Sequence, residues 1–398
     1  MIKKEMTLGE IVSKYPSSVN IFKSKNISGF DENSKSALLN KLTLEMAAKT
    51  KKINLEVLLD TLNSSFDTYD ADITADIREY KAGGTDVSGL LPCPVRLPLL
   101  EAFKEFDSEN PEIKLNYDLK SASSGSEWMK ELIKKDDPSK IPDIFISTGF
   151  ELFFGKNIKN RIKEESVFKD KTGLEKYNKI FDNTGLKDPY GNYAMLGTVP
   201  AVMLVNPLEL KGRKCPQTWE DLLNPEFEKS ICIPAGDLDL YNAALITLHS
   251  RFGYEGIKKL KNNFLDSLHP SQMVKADKLS VNKPAITITP YFFTKMLPER
   301  SKMFVNWPKD GAIVSPIFML IKNRESISLD KTAKFLSSKK TGEILSKQGY
   351  FPSVHPEVEN NTKDRKFLWA GWDYLYENDI DHILDNCTKI LIENTQEV

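Results

Sequence analysis

Charge of one sign is not in excess in this 398-residue sequence: 55 Lys and Arg stand against 56 Asp and Glu, a formal net charge of -1. That balance gives no reason to expect nucleic acid or an anionic membrane surface as partner. Cysteine is scarce, and Cys93, Cys215, Cys232 and Cys387 lie far apart without CxxC spacing, so no zinc or redox motif is supported and free thiols are expected. No apolar run approaches the ~20 residues of a transmembrane helix. The opening Met1-Ile2-Lys3-Lys4-Glu5-Met6-Thr7 lacks the apolar stretch of roughly 7–15 residues that a secretory signal places after its basic start. No Cys precedes Cys93, so a lipoprotein anchor is missing too. These absences predict a cytoplasmic protein without membrane insertion, or an extracytoplasmic one if the N-terminus has been trimmed.

Catalytic signatures are also lacking: there is no G-x-S-x-G elbow, HExxH, Walker loop or dinucleotide fingerprint. A non-enzyme without cofactor is expected. His249, His269, His355 and His382 are widely separated, which favours packing or surface positions over a metal site.

What is present begins with a small helical module over residues 1–63. Thr7-Leu8-Gly9-Glu10 fits a capping box, in which the hydroxyl caps the third helical N–H and Glu10 reaches back. Leu8, Ile11, Val12 and Tyr15 then share a face, and Pro16 ends the helix. Val19, Ile21 and Phe22 suggest a second helix. Thr43 caps a third, and Asn54 a fourth with Leu55, Leu58, Leu59 and Leu62 on one side.

An acidic linker follows over residues 64–85. Its Asp70, Asp72, Thr74 and Asp76 alternate as in a calcium loop, but Ala75 stands where the glycine belongs and Lys81 where the bidentate Glu belongs. A solvated linker is the reading. From Asp86 onward, strand-like and helix-like runs alternate, the pattern of an α/β fold. Strands are expected at Val87–Leu91, Ile113–Leu119, Asp143–Ser147 and Tyr193–Val205, the last interrupted at Pro200. Helices are expected at Leu97–Phe106 and around Trp128, Met129, Leu132 and Ile133. Phe367, Trp369, Trp372, Tyr374 and Tyr376 read as helix packing over the second of the two lobes delimited below.

Three motifs in order give that pattern a closer likeness. They are "PQTWEDLLNPEFEKSICIP" (Pro216 to Pro234), "KDGAIVSPIFMLIKN" (Lys309 to Asn323) and "AKFLSSKKTGEILSKQGYFPS" (Ala333 to Ser353). In the first, Thr218 is the expected N-cap of a helix whose Trp219, Leu222 and Leu223 face a core. Over about residues 86–360 the chain resembles type II extracellular solute-binding proteins of ABC transporters, in the branch related to ferric-ion-binding proteins. The module before it, with "MTLGEIVSKYP" and "INLEVLLDTLN", resembles a small helical domain of unknown function fused to diverse bacterial proteins. The resemblance implies a two-lobed α/β fold with a hinge. Lobe 1 would be 86–196 plus 303–349, and lobe 2 would be 197–302 plus 350–398. It implies a solute-binding protein closing on a small ligand, partnered by a permease or by a protein that the helical module recruits.

In open α/β sheets, ligands sit beyond the carboxyl ends of strands. That rule selects Cys93 and Arg96 after the first strand, Ser123 and Ser124 after the second, and Ser147 and Thr148 after the third. Thr198 lies on the hinge strand, Asp239 opens a helix, and Tyr291 follows a later strand. Small hydroxyl residues before helix starts suit an oxyanion or small organic ligand, and Arg96 could clamp a carboxylate or phosphate. Tyr291 stands where ferric-binding relatives place a pair of iron-ligating tyrosines, and the second tyrosine is absent. Direct ferric binding, or an enzyme on the same fold using Cys93, is the alternative.

Overall fold

The computed structural model describes residues 2–15, 18–19, 22, 27, 39–51, 53, 55, 58–59, 62, 83–121, 141–150, 153–234, 238–268, 270–279, 282–362 and 364–392. The acidic segment with Asp70 and Asp76, the helix around Trp128, and Ile21, Asn54 and His269 lie outside the described residues.

The helical module forms as its caps dictate. Thr7 Oγ1 accepts the Glu10 N–H at 3.2 Å while Glu10 Oε2 accepts the Thr7 N–H at 2.8 Å, starting helix Leu8–Lys14. Thr43 Oγ1 accepts the Met46 N–H at 3.2 Å and starts helix Leu44–Thr50. Each such cap is worth about 1 kcal/mol. Leu8, Ile11, Phe22, Leu44, Ala47, Leu58 and Leu62 are buried together in a core of their own, separate from that of the remaining chain.

The rest is built on one sheet. Its strands are β1 (Thr85–Leu91), β2 (Leu115–Ser121), β3 (Ile144–Thr148), β4 (Ala194–Val205), β5 (Ile231–Pro234), β6 (Phe264–Leu268), β7 (Ile286–Pro290), β8 (Phe304–Asn306), β9 (Ala312–Ile321) and β10 (Phe367–Leu368). The order is β2-β1-β3-β9-β4-β7-β5-β6, with β8 on β4 and β10 on β9. β2, β1 and β3 run parallel at one side, and β7, β5 and β6 run parallel at the other. Between them β9 and β4 pair antiparallel, with each other and with β3 and β7 respectively. Every residue of β4 and β9 is buried, as their largely apolar sequences, with Thr198 and Ser315 the hydroxyl exceptions, lead one to expect of strands covered on both faces.

Two expectations need correction. The helix after β1 spans Cys93–Glu109, so Cys93 to Arg96 form its first turn and not a loop. Pro94 is the cause: its fixed φ suits a first helical turn and it lacks an N–H that would be unpaired there anyway. β4 also runs through Pro200 without a break, its register shifting instead between Met195 and Gly197. Pro200 falls one residue before the β7 ladder begins at Ala201, where β4 is bonded along β9 alone.

The three motifs fold as units that touch. Thr218 Oγ1 accepts the Asp221 N–H at 3.3 Å, and Asp221 Oδ2 accepts the Thr218 N–H at 2.9 Å. The capped element is a single 3-10 turn, Glu220–Leu223, shorter than the helix expected because Pro225 follows. Trp219, Leu222 and Leu223 are buried as expected. The late helices are Ile327–Leu336 and Lys339–Glu343, and the chain then turns at Tyr350, whose φ of 54° is left-handed.

The C-terminal aromatic residues pack, but mainly against residues 150–193. Trp369 stacks on Phe150 at 5.4 Å between centroids, and Trp372 meets Tyr193 at 5.3 Å. The Tyr376 hydroxyl donates to Asp188 at 3.0 Å, and only Tyr374 turns to the second half, where its hydroxyl lies 2.6 Å from His249 Nδ1. Buried Lys159 fixes this arrangement: its Nζ donates to the carbonyls of Leu375 and, at 2.6 Å, Asn378 at the end of helix Trp372–Glu377.

Candidate functional site

The carboxyl end of β3 meets the start of the long helix Leu238–Asn263. Thr148 Oγ1 donates a hydrogen bond to Asp239 Oδ2, and Ser315 Oγ on β9 donates to the Asp239 carbonyl at 3.2 Å. Gly149 permits the approach, because at φ 72° a Cβ would lie 2.6 Å from Asp239 Oδ1 and 2.8 Å from its Cα. Ser147 and Thr148 belong to β3 itself and are buried. A carboxylate at a helix start is favourably placed against the N–H groups there; here Asp239 holds β3 through its carboxylate and β9 through its main-chain carbonyl.

Register separates the remaining candidates. Thr148 pairs with Ile317 of β9, whereas Thr198 pairs with Pro316. Adjacent strand positions point to opposite faces, so the structure does not bring Thr198 to the Thr148–Asp239 contact. Thr198 is fully buried and, among the described residues, its hydroxyl has no hydrogen-bond partner; the Thr289 hydroxyl on β7 is in the same state. Leaving such a group unpaired costs about 1–3 kcal/mol.

On the Thr198 side, Val202 packs with Tyr291 and Ala312 in a buried cluster flanked by Trp307 and Tyr350. The Tyr291 hydroxyl accepts a hydrogen bond from Lys295 Nζ at 2.8 Å. Tyr350 leads into Phe351, which meets Phe292 edge-on at 5.3 Å, and Gly349 lies against both Phe351 and Val95. The first turn of helix Cys93–Glu109 therefore neighbours the Tyr291 segment. Arg96 Nε donates to the Leu119 carbonyl of β2 at 3.3 Å. Ser123 and Ser124 lie outside the described residues, as do Gly236 and Asp237 before the long helix.

Sequence reasoning missed Ser315 and Lys295. Ser315 is the lone hydroxyl in the buried run of β9, and Lys295 follows Tyr291 by four residues, so both signals were present in the pattern. Among the described residues no group of three or more His, Cys, Asp or Glu side chains could hold a metal ion, and no helix is long and apolar enough to cross a membrane.

Comparison with known proteins places these features. The family described as bacterial extracellular solute-binding protein matches residues 139–378, and a domain of unknown function matches residues 2–59. Apo ferric ion-binding protein A of Pasteurella haemolytica superposes with a TM-score of 0.58 at 15% identity, covering 79% of this chain and all (100%) of that one. An ABC transporter structure from Clostridium perfringens gives 0.57 at 16% identity, covering 77% and 99%. The ferric binding protein from Campylobacter jejuni gives 0.53 at 16% identity, covering 77% and 98%. No curated protein matches the chain. The fold is the two-lobed type II binding fold expected from the three motifs, preceded by the small helical domain.

Proposed function

This chain belongs to the bacterial extracellular solute-binding protein family, and from that premise we propose that it captures one small solute, an oxyanion or small organic molecule, by closing its two lobes over it. Members of this family bind small ligands and work with ABC permeases; they are binders and not enzymes. The observation that carries the reading is the Thr148–Asp239 hydrogen bond, which joins the carboxyl end of β3 to the start of the helix following β5. A ligand that contacts both ends is bound more tightly in the closed state and so draws the lobes together.

We assign the lobes to 86–196 plus 303–349 and 197–302 plus 350–398, with β4 and β9 as the hinge. The candidate contacts fall into two groups on opposite faces of the central strands: Thr148 and Asp239 at the strand–helix junction, which we take as the grip, and Ser147, Thr198 and Tyr291 on the other side. Cys93 and Arg96 follow β1, and Ser123 and Ser124 come after β2 in the sequence. The role is that of a sensor or carrier inside the cell, or the capture component of an importer.

A thermal-stability screen of the full chain against oxyanions, amino acids, small phosphates and metal ions tests this. A ligand at about 100 times its Kd adds about 2.7 kcal/mol of stability by mass action, a clear rise in the unfolding midpoint. If no compound class raises the midpoint, the solute-binding reading is wrong.

A further inference from the structure

Two cations next to the hinge rest on aromatic rings. Lys295 Nζ lies over the Tyr291 ring at 4.5 Å and over the Tyr350 ring at 5.3 Å, and donates to the Tyr291 hydroxyl at 2.8 Å. The Arg365 guanidinium lies over the Trp307 ring at 5.0 Å. Tyr291 and Trp307 are themselves in edge-to-face contact at 5.2 Å, so the two cations ride on touching rings. Among the described residues, neither cation forms an ion pair.

Aromatic faces attract a cation without consuming its hydrogen-bond donors. Lys295 has three donors and gives one to Tyr291; the planar fork of Arg365 matches a carboxylate or phosphate in two parallel bonds. The rings themselves are held from behind. Trp307 Nε1 donates to the Lys366 carbonyl at 2.7 Å, Trp307 meets Phe367 edge-on at 5.6 Å, and Tyr291 is buried against Val202 of β4 and Ala312 of β9. Tyr350 keeps its place at a φ of 54°, a left-handed conformation unfavourable for a bulky side chain. The cation pair is thus oriented by a rigid aromatic base at the two strands that cross the middle of the sheet.

We propose that Lys295 and Arg365, set on Tyr291, Trp307 and Tyr350, form an oxyanion subsite that takes a phosphate or carboxylate group. It rests on the solute-binding reading and deepens it, by placing a contact selective for negative charge on the Thr198 side of the hinge strands, across them from the Thr148–Asp239 junction. The lysine is the specificity-determining residue: its ammonium above Tyr291 attracts a negative group and repels a positive one. The tyrosine hydroxyl, already accepting from an ammonium, serves to position Lys295.

Calorimetric titration of inorganic phosphate and, separately, citrate into the full chain tests the subsite, and the stronger of the two identifies the group it takes. Wild type binds at least one of them. Lys295→Gln and Arg365→Gln each weaken that binding about tenfold or more, whereas Lys295→Arg, which keeps the charge, weakens it less than Lys295→Gln does. Trp307→Leu weakens it as well, by freeing Arg365. Binding of neither anion to wild type, or equal binding to wild type and both glutamine variants, overturns the subsite. If an uncharged solute then stabilises wild type and Lys295→Gln alike, the solute-binding reading stands and only this assignment has failed.

Discussion

The indole N–H of Trp219 donates to the carbonyl of Gly311 at 2.8 Å, and the backbone N–H of the same tryptophan donates to Asp310 Oδ2 at 3.2 Å. Two motifs 92 residues apart are joined there by one side chain. The Asp-Gly pair precedes β9 while the tryptophan stands at the start of the 3-10 turn before β5, so the joint anchors a hinge strand to the second half of the sheet.

Removing that joint should be costly. Trp219→Phe leaves the Gly311 carbonyl without its buried donor, a loss of about 1–3 kcal/mol. Trp219→Ala adds a cavity and should cost about 3–5 kcal/mol. Urea unfolding midpoints measure both, and a phenylalanine variant as stable as wild type would show that the bond contributes nothing.

Gly149 makes a second test, because its demand is steric. Alanine there would place a Cβ against Asp239 and hold a strained φ of 72°, whereas Gly173, at a φ of 75°, has open space around it. Gly149→Ala should separate β3 from the long helix and raise hydrogen exchange at Thr148 and around Asp239. Gly173→Ala carries only the backbone strain, about 1 kcal/mol, and should leave exchange at Asp239 unchanged. Equal behaviour of the two variants would count against a tight junction.

The motifs that carried the fold were legible because each satisfies local chemistry. Thr218 with Asp221, Thr7 with Glu10, and the apolar runs of β4 and β9 are all set by neighbours within a few residues. The site was less legible, since it depends on register. Thr148 and Thr198 look alike as hydroxyls at strand positions, yet pairing with Ile317 and Pro316 sends them to opposite faces. Arg96 reads as a free clamp until Pro94 extends the helix and its Nε reaches the Leu119 carbonyl. The C-terminal aromatics were correctly read as packing, but which half they cover depends on long-range contacts such as Trp372 with Tyr193.

Stability should fall in acid in two steps. Burial pushes the His249 imidazole below its ordinary range, and its Nε2 is buried with no hydrogen-bond partner among the described residues. A histidine kept neutral in the fold is protonated first in the unfolded chain, so stability declines as pH falls below about 6.5. Burial opposes the charge of Asp143, but the Arg324 guanidinium, bonded at 2.8 and 3.0 Å, with the Asp86 N–H outweighs it and lowers the carboxyl below its ordinary 3.8. That contribution is present above about 3.8 and is lost as pH falls through the lower folded value. His249→Phe should flatten the first step and Asp143→Asn the second, in unfolding free energies measured from pH 8 to pH 3. Unchanged slopes in both variants would exclude these groups as the cause.

Lys159 joins the helix Lys156–Glu165 to the helix Trp372–Glu377 through the carbonyls of Leu375 and Asn378. Lys159→Met leaves both acceptors unpaired and should cost about 2–4 kcal/mol. The lesion should be local, seen as faster proteolytic cleavage within residues 367–392 with the β1–β3 region still protected. Wild-type resistance in that segment would mean the lysine is dispensable.

The central claim is that the junction of β3 with helix Leu238–Asn263 grips the solute. Calorimetric titration of wild type and Asp239→Ala, side by side, with whichever compound of the screen raises the unfolding midpoint most, tests it directly. The account predicts at least about tenfold weaker binding by Asp239→Ala, a loss of about 1.4 kcal/mol, with the far-ultraviolet spectrum unchanged. Equal affinity in the two proteins would place the solute elsewhere and contradict the account.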